Sequence, residues 1–395
     1  MTTIRTRKCD TGILKGFMRF AVDAHAIGRQ LTGNEVYIRS LLNAIASEER
    51  DCELIAYVST DQAVPELSSR IRTRRVAGNP FRRLGLDLAA RVRLDLPDLL
   101  HVQYTAPLAC PVPVVVTVHD VSFIEHPEYF TLPRAFQLRR TVGHTVRRAA
   151  KILTVSEFSR SSILRVYSDL DESKVVVVPN AAAPEFRPML RRAASAAVRA
   201  RFSLEAPFLL SVGDLQPRKN HIGLIRGFTQ LVRAYPQLRH NLVLVGKETW
   251  FSHRVHAAAG ESGVADRIRF LGYVSDAALL ELYNACDLFV FPSLYEGFGL
   301  PVLEAMACGR AVVCSDTSAL PEVVDGAALL FDPYVPRELV RAMADLLLDA
   351  ELRARMERLS LQRAAHFSWR NAAERTLEVF HAVAAPSTPP VETAA

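Results

Sequence analysis

The sequence is short of what several protein classes require. No apolar run approaches the roughly 18 to 20 residues needed to cross a bilayer. Residues 1–16 are polar and basic and lack the apolar stretch of a signal peptide, so a cytoplasmic location is expected. Cysteine is sparse. Cys9, Cys52, Cys110, Cys286, Cys308 and Cys314 are scattered, with no C-x-x-C pair and no His/Cys cluster. That spacing argues against a disulfide framework and a structural zinc site, and points to small buried side chains in a reducing compartment. No G-x-G-x-x-G follows a strand pattern and no Walker A loop is present, which argues against a nicotinamide dehydrogenase and a P-loop nucleotidase. A single D-x-D, Asp169-Leu-Asp171, lies between a helical and a strand pattern, where a solvated connector is expected; no divalent metal and no cofactor are expected. The basic charge has no aromatic-rich groove or DNA-binding motif beside it, so nucleic acid is not an expected partner.

What is present is the composition of a folded protein, 49% hydrophobic and 23% charged, on a chain of 395 residues that is too long for one ordinary core. The net charge of +6 is uneven: residues 1–190 hold 26 basic and 20 acidic side chains, and residues 191–395 hold 22 of each. The excess therefore lies in the first half. A cluster there, Arg70, Arg72, Arg74, Arg75, Arg82 and Arg83, can face an anionic membrane or a diphosphate-bearing substrate, or form a solvated surface.

Apolar runs rich in β-branched residues alternate with helical patterns. In the first half, strands are expected at 18–22, 53–58, 114–118, 152–155 and 175–178, with helices at 34–46, 132–150 and 157–167. Ser156 is placed to cap the last helix. Residues 181–188 carry two prolines and no period, which marks a domain junction. The alternation then resumes, with strands near 208–212, 242–245, 268–271, 288–291 and 311–314 and helices near 221–235, 276–286, 301–308 and 336–347. Two such series imply an α/β protein of two doubly wound, Rossmann-like domains whose ligand edges face a central cleft.

Four constellations fall on those edges. In Phe291–Pro321 a strand ends and a loop carries Glu296, Gly297 and Gly299 before Pro301 opens a short helix that closes at Gly309. Such a helix start offers backbone N–H groups and a positive dipole to an anion. Glu304, in the first helical turn, can accept both hydroxyls of a ribose, and Glu296, further out, faces a sugar. The alternative is a capped surface helix with incidental glutamates. In Ser211–Asn220, Arg218 and Lys219 put two cations at a strand's carboxyl end, where a departing diphosphate needs neutralising. His119 and Asp120 close a buried strand, so His119 can bond a sugar hydroxyl or move a proton, or can be a satisfied structural histidine. Gly28 and Gly33 lie in the loop leading to the helix that Asn34 begins, and are either turn residues or part of an anion site.

At these motifs the sequence resembles glycosyltransferase family 4, the retaining enzymes of the GT-B fold. The resemblance runs from Val22-Asp23 through Thr32-Gly33, His119-Asp120, Thr154–Ser159, Val178-Pro-Asn180 and Val212-Gly213 to Pro217–Asn220 and the Glu296/Glu304 pair. It implies an acceptor-binding domain over 1–188 with residues 1–16 flexible, and a nucleotide-sugar domain over 189–369. It also implies a helix over 370–385 crossing back to the first domain; the tail over 386–395 is Pro/Thr-rich, and disorder is expected there from composition. By the same resemblance Arg218 and Lys219 contact the diphosphate, Glu304 the ribose, and Tyr273 and Val274 the base. Gly33 lies by the donor, and Glu296 with the Gly297-Phe298-Gly299-Leu300 backbone contacts the transferred sugar. His119 is near the reacting centre, with Asp120 and Asn34 on the acceptor side. Many members carry Gly-Arg where this chain has Gly213-Asp214, and an acidic residue before the lysine where it has Arg218, so Arg218 stands in for a cation moved along the loop. The Pro-Arg-Lys-Asn form looks most like bacterial mannosyltransferases of surface-polysaccharide assembly and points to GDP-mannose. A retaining hexosyl transfer without metal, to a glycan or lipid-linked glycan near an anionic membrane, is the expectation. An epimerase or phosphorylase on the same fold and a catalytically silent glycan-binding scaffold are its rivals.

Overall fold

β-branched runs that are apolar at every position can be buried on both faces, and here they form two parallel sheets. The computed structural model describes residues 17–29, 32–49, 51–205 and 207–385; the expectations for residues 1–16 and 386–395 lie outside them. The first sheet contains β1 (Met18–Asp23), β2 (Cys52–Val58), β3 (Ile71–Arg75), β4 (Leu99–Gln103), β5 (Val114–Thr117), β6 (Lys151–Thr154) and β7 (Val175–Val177), in the order β3-β2-β1-β4-β5-β6-β7. The second contains β8 (Phe208–Val212), β9 (Asn241–Val245), β10 (Ile268–Gly272), β11 (Leu288–Phe291), β12 (Val312–Ser315) and β13 (Leu329–Phe331), in the order β10-β9-β8-β11-β12-β13. Every strand pair is parallel.

Side chains alternate between two cores, as period-2 geometry requires. Phe20 and Val22 of β1 enter one core and Ala21 the other. Phe289 and Val290 divide the same way in the second sheet. The chain passes between domains near Ala181, which packs with the first core, and Ala183, which packs with the second. The final helix, Trp369–Ala384, lies back on the first domain beside helix Thr32–Glu48, with the Phe20 and Phe380 rings 5.3 Å apart.

Both sheets reverse strand order beside their first strand, between β1 and β4 and between β8 and β11, and clefts open at such points. Besides the bond that Tyr295 Oη donates to Glu125 Oε2 at 2.6 Å, two seams join the facing edges. At the floor, Ser156 Oγ caps helix Glu157–Val166 by accepting from Ser159 N, and donates to the Gly297 carbonyl at 2.6 Å. Glu322 of the second domain accepts from the Glu157 and Phe158 N–H groups at the same helix start. At the mouth, Arg39 pairs with Asp276 at 2.8 Å and with Glu66 of its own domain at 2.8 Å.

The arginine cluster is mostly turned to internal partners. Arg72 pairs with Glu53, Arg74 with Asp95, Arg75 with Asp61 and Arg83 with buried Asp23, while Arg70 donates to backbone carbonyls. Arg82 alone of the six is exposed without such a contact among the described residues.

Candidate functional site

The carboxyl ends of the central strands of both sheets line a cavity of about 510 Å³, within the range of small-molecule sites. Every residue given a binding or catalytic role from the sequence lines it except Gly299, and of the two candidate loop glycines Gly33 lines it while Gly28 does not.

On the second-domain wall, the chain leaves β8 and makes a short 3-10 turn, Pro217–Lys219, that ends with Asn220 in the left-handed region at φ 51°. The turn aims two cations at the loop after β11. Lys219 Nζ donates to Glu296 Oε1 at 2.5 Å, and Arg218 Nη1 lies 2.8 Å from Glu296 Oε2. Ser293 Oγ donates to Glu296 Oε1 at 2.6 Å, and Arg218 also donates to the Tyr295 carbonyl at 3.1 Å. Burial alone raises the carboxyl of Glu296, but the charges of Arg218 and Lys219 outweigh it and hold Glu296 at about 2. Glu296 is therefore an ionised carboxylate bracketed by two cations.

The loop continues into helix Leu300–Ala307, with Gly299 at its start at φ 99° and Pro301 in its first turn. Glu304 lies one full turn in, rather than in the first turn as the sequence implied, and is buried. Its one hydrogen-bond donor among the described residues is the Tyr283 hydroxyl at 2.9 Å. Burial raises its carboxyl to about 7, opposite to Glu296. Tyr273 is about half exposed at this end, with Lys247 Nζ 5.2 Å from its ring centroid, and Val274 lies beside it.

On the first-domain wall, His119 follows β5, and burial lowers its imidazole to about 4, so it is neutral near pH 7. Asp120 accepts from the Ser122 N–H and hydroxyl at 2.9 and 2.6 Å, which fixes the turn beyond it. The two candidate loop glycines separate cleanly. Gly28 has φ 73°, and a Cβ there would meet Thr60 at 2.8 Å, so the turn requires it. A Cβ on Gly33 would meet nothing within 4 Å among the described residues, and Gly33 lines the cavity. Asn34 lies beside it, exposed.

Gly297 and Phe298 serve the domain contact as well as the cavity. A Cβ on Gly297 would lie 2.1 Å from the His119 carbonyl oxygen, so the two backbones touch there. Phe298 packs against Val155, Leu303 and Val323, and Leu300 packs against that group. Asp169 and Asp171 lie away from the cavity, bonded to Arg147 and to the Ser173 N–H. The sequence did not single out Tyr104, Gln103 or Arg39. Tyr104 lines the cavity just past β4 at φ 61°, a strained setting for a non-glycine residue of the kind that clusters at functional sites.

Comparison with known proteins supplies the context. Residues 197–362 match the family model for glycosyl transferases group 1, and residues 31–186 match that for glycosyltransferase family 4. O-antigen chain mannosyltransferase B of Escherichia coli is 35% identical over 267 residues, covering 67% of this chain and 69% of that protein. Serotype-specific mannosyltransferase WbdA of Escherichia coli is 32% identical over 274 residues; the match covers 68% of this chain but 33% of that larger protein. Among solved structures, sucrose-phosphate synthase from Thermosynechococcus elongatus superposes with a TM-score of 0.75 at 20% identity, over 92% of this chain and 98% of that one. Anabaena Alr3699/HepE, solved in complex with UDP and glucose, gives 0.71 at 21% identity, over 92% and 99%. These superpositions establish the two-domain GT-B fold.

Proposed function

The chain belongs to glycosyltransferase family 4 and is a glycosyltransferase, and from that premise we propose that it transfers mannose from GDP-mannose, with retention, to a glycan or lipid-linked glycan. The observation that carries the site assignment is the buried group of Lys219, Arg218 and Glu296 beside the start of helix Leu300–Ala307, with Glu304 a turn further on. Mannose as the donor sugar is supported by the two Escherichia coli mannosyltransferases above.

In this reading the diphosphate takes the two cations from Glu296. Lys219, Arg218 and the helix N–H groups then stabilise the charge that grows as the bond from the sugar C1 to the diphosphate breaks. The acceptor hydroxyl forms its bond to C1 on the same face, and its proton passes to the departing diphosphate oxygen. Two fixed cations supply the neutralisation that a metal would otherwise provide, so the transfer is proposed to be metal-independent. Glu304 accepts the ribose hydroxyls, Tyr273 and Val274 flank the base, and Gly33 leaves room for the donor. Glu296, freed from the cations, and the Gly297–Leu300 backbone face the sugar. His119 positions the reacting centre, and Asp120 and Asn34 line the acceptor side.

Calorimetric titration with GDP-, UDP- and ADP-sugars, without added metal, tests this. One nucleotide class should bind, and Lys219→Ala should weaken it by about 10- to 100-fold, the worth of a charged hydrogen bond to phosphate. Absence of binding across the panel would overturn the donor-site assignment and promote the silent scaffold. Turnover of a phosphosugar without any acceptor would favour the epimerase or phosphorylase reading.

A lipid-linked acceptor places the enzyme at a membrane surface, and the proposed contact is the exposed side of segment 80–96 of the first domain. There Phe81, Leu86, Leu94 and Leu96 are 72–80% exposed, among exposed Arg82, Arg91 and Arg93. Apolar side chains within basic ones suit the interface of an anionic bilayer. No helix among the described residues is long and apolar enough to span one. Cosedimentation with phosphatidylglycerol vesicles at low salt should show binding that Arg82→Glu combined with Arg91→Glu and Arg93→Glu removes; no binding by the unaltered protein would end this part of the proposal.

A further inference from the structure

Two strand ends meet beside His119. In the parallel pairing of β4 with β5, Gln103 stands opposite Thr117, and His119 lies two residues beyond Thr117, on the same side of the sheet. Gln103 is buried, and its side-chain amide has a nitrogen that can only donate and an oxygen that can only accept. The nitrogen lies 3.2 Å from the backbone carbonyl of Asn34, in the first turn of helix Thr32–Glu48, and a carbonyl can only accept. The amide oxygen therefore faces His119 Nε2 at 2.8 Å. Turning the amide over would set oxygen against oxygen at Asn34. The orientation is fixed from the far end, and it makes His119 Nε2 the donor.

We infer that Gln103 is a positioning residue that holds the His119 proton on Nε2, leaving Nδ1 as an acceptor-only nitrogen at the cavity. The ring keeps one proton near neutrality because burial disfavours its charged form. His119 lines the cavity, and its Nδ1 makes no hydrogen bond among the described residues. Rotation of the ring is opposed by Tyr37, edge-on at 4.6 Å between centroids, and Tyr104, tilted at 5.6 Å. Thr117, on the same side of the sheet, is already engaged by Tyr37 Oη and His101 Nε2, both at 2.8 Å. Among the described residues Gln103 is the hydrogen-bond partner of the His119 ring, and so the group that sets its tautomer.

The consequence is chemical selectivity. An acceptor-only Nδ1 takes a hydrogen bond from a sugar hydroxyl and gives nothing to an acceptor group placed there. A site built to bond a hydroxyl rejects an analogue lacking it, because a buried polar atom is left unpaired. That His119 meets a sugar rests on the glycosyl-transfer reading; the tautomer does not.

The test is nitrogen NMR of the full chain labelled with ¹⁵N-histidine, with the His119 signal assigned from its loss in His119→Phe. The unaltered protein should show a protonated Nε2 and a bare Nδ1, and Gln103→Leu should show a mixture of the two tautomers. Gln103→Leu should also lower kcat/KM by about tenfold, the worth of one buried hydrogen bond. Gln103→Glu places a carboxylate on Nε2, next to Asp120 and among Tyr37, Tyr104 and His101, and should put a second proton on the ring at pH 7. A proton on Nδ1 in the unaltered protein overturns the inference, and that spectrum decides the matter even if Gln103→Leu fails to fold. An unchanged tautomer in folded Gln103→Leu overturns it too. The predicted tautomer in a protein that transfers no sugar would instead count against the functional reading.

Discussion

Glu296 and Glu304 are the same residue type eight positions apart, both buried, and their protonation differs because their neighbours do. Glu296 has two cations and a hydroxyl on its oxygens and stays ionised far below neutrality. Glu304 has a tyrosine hydroxyl, and burial dominates, raising it from 4.5 to about 7. A carboxyl raised in the folded state binds its proton more tightly there than in the unfolded chain. Its contribution is fully present below pH 4.5 and is lost as pH rises toward 7, by about 3 kcal/mol in all at 1.36 kcal/mol for each pH unit. Stability of the protein relative to Glu304→Gln, from urea midpoints, should therefore fall between pH 4.5 and 7 and level off above. A flat difference over that window would mean that Glu304 is solvated or paired in the free protein. Under the proposed function the same proton matters to donor binding, since an ionised carboxylate can accept from two ribose hydroxyls and a protonated one from fewer.

At the scale of elements, the helix Leu300–Ala307 at the candidate site was legible because its signals are local. Pro301 fixes φ in the first turn, and Gly299 and Gly309 take positive φ at its two ends, 99° and 69°. The β8 and β11 strands were legible from continuous apolar runs. β4 was not, although all five of its residues are buried, because His101 and Gln103 interrupt Leu99-Leu-His-Val-Gln. His101 Nε2 pairs with Thr117, and Gln103 with Asn34 and His119, partners that no periodicity encodes. β3 was hidden by its arginines, which are matched by Glu53, Asp95 and Asp61 from neighbouring elements. β13 is only three residues long. The candidate site divides along the same line. Motif residues such as Lys219 and Glu304 could be named from the chain, whereas Tyr104 and Gln103 matter through where the fold brings them.

The arrangement of the whole molecule depends on how its two domains meet, and the two seams are unequal. At the mouth, Arg39 and Asp276 are partly exposed, 21% and 38% at their side chains, and such a pair contributes about 0.2 to 1 kcal/mol. At the floor, backbone meets backbone. A methyl on Gly297 would lie 2.1 Å from the His119 carbonyl oxygen, and no flexible side chain there can yield. Gly297→Ala must therefore move the second domain's loop away from the first, and with it Glu296 away from His119. Arg218, Lys219 and Glu304, the proposed nucleotide contacts, all belong to the second domain, so nucleotide-sugar affinity should change little. Transfer needs groups from both domains in register, and a displacement of about 1 Å can cost on the order of a hundredfold in rate. The expected outcome is a variant that binds donor in calorimetry but transfers sugar at least about a hundredfold more slowly. Arg39→Ala should leave both measurements nearly unchanged. Full transfer by Gly297→Ala would show that the working enzyme does not use the contact between Gly297 and His119, and that catalysis proceeds from a more open pose of the two domains.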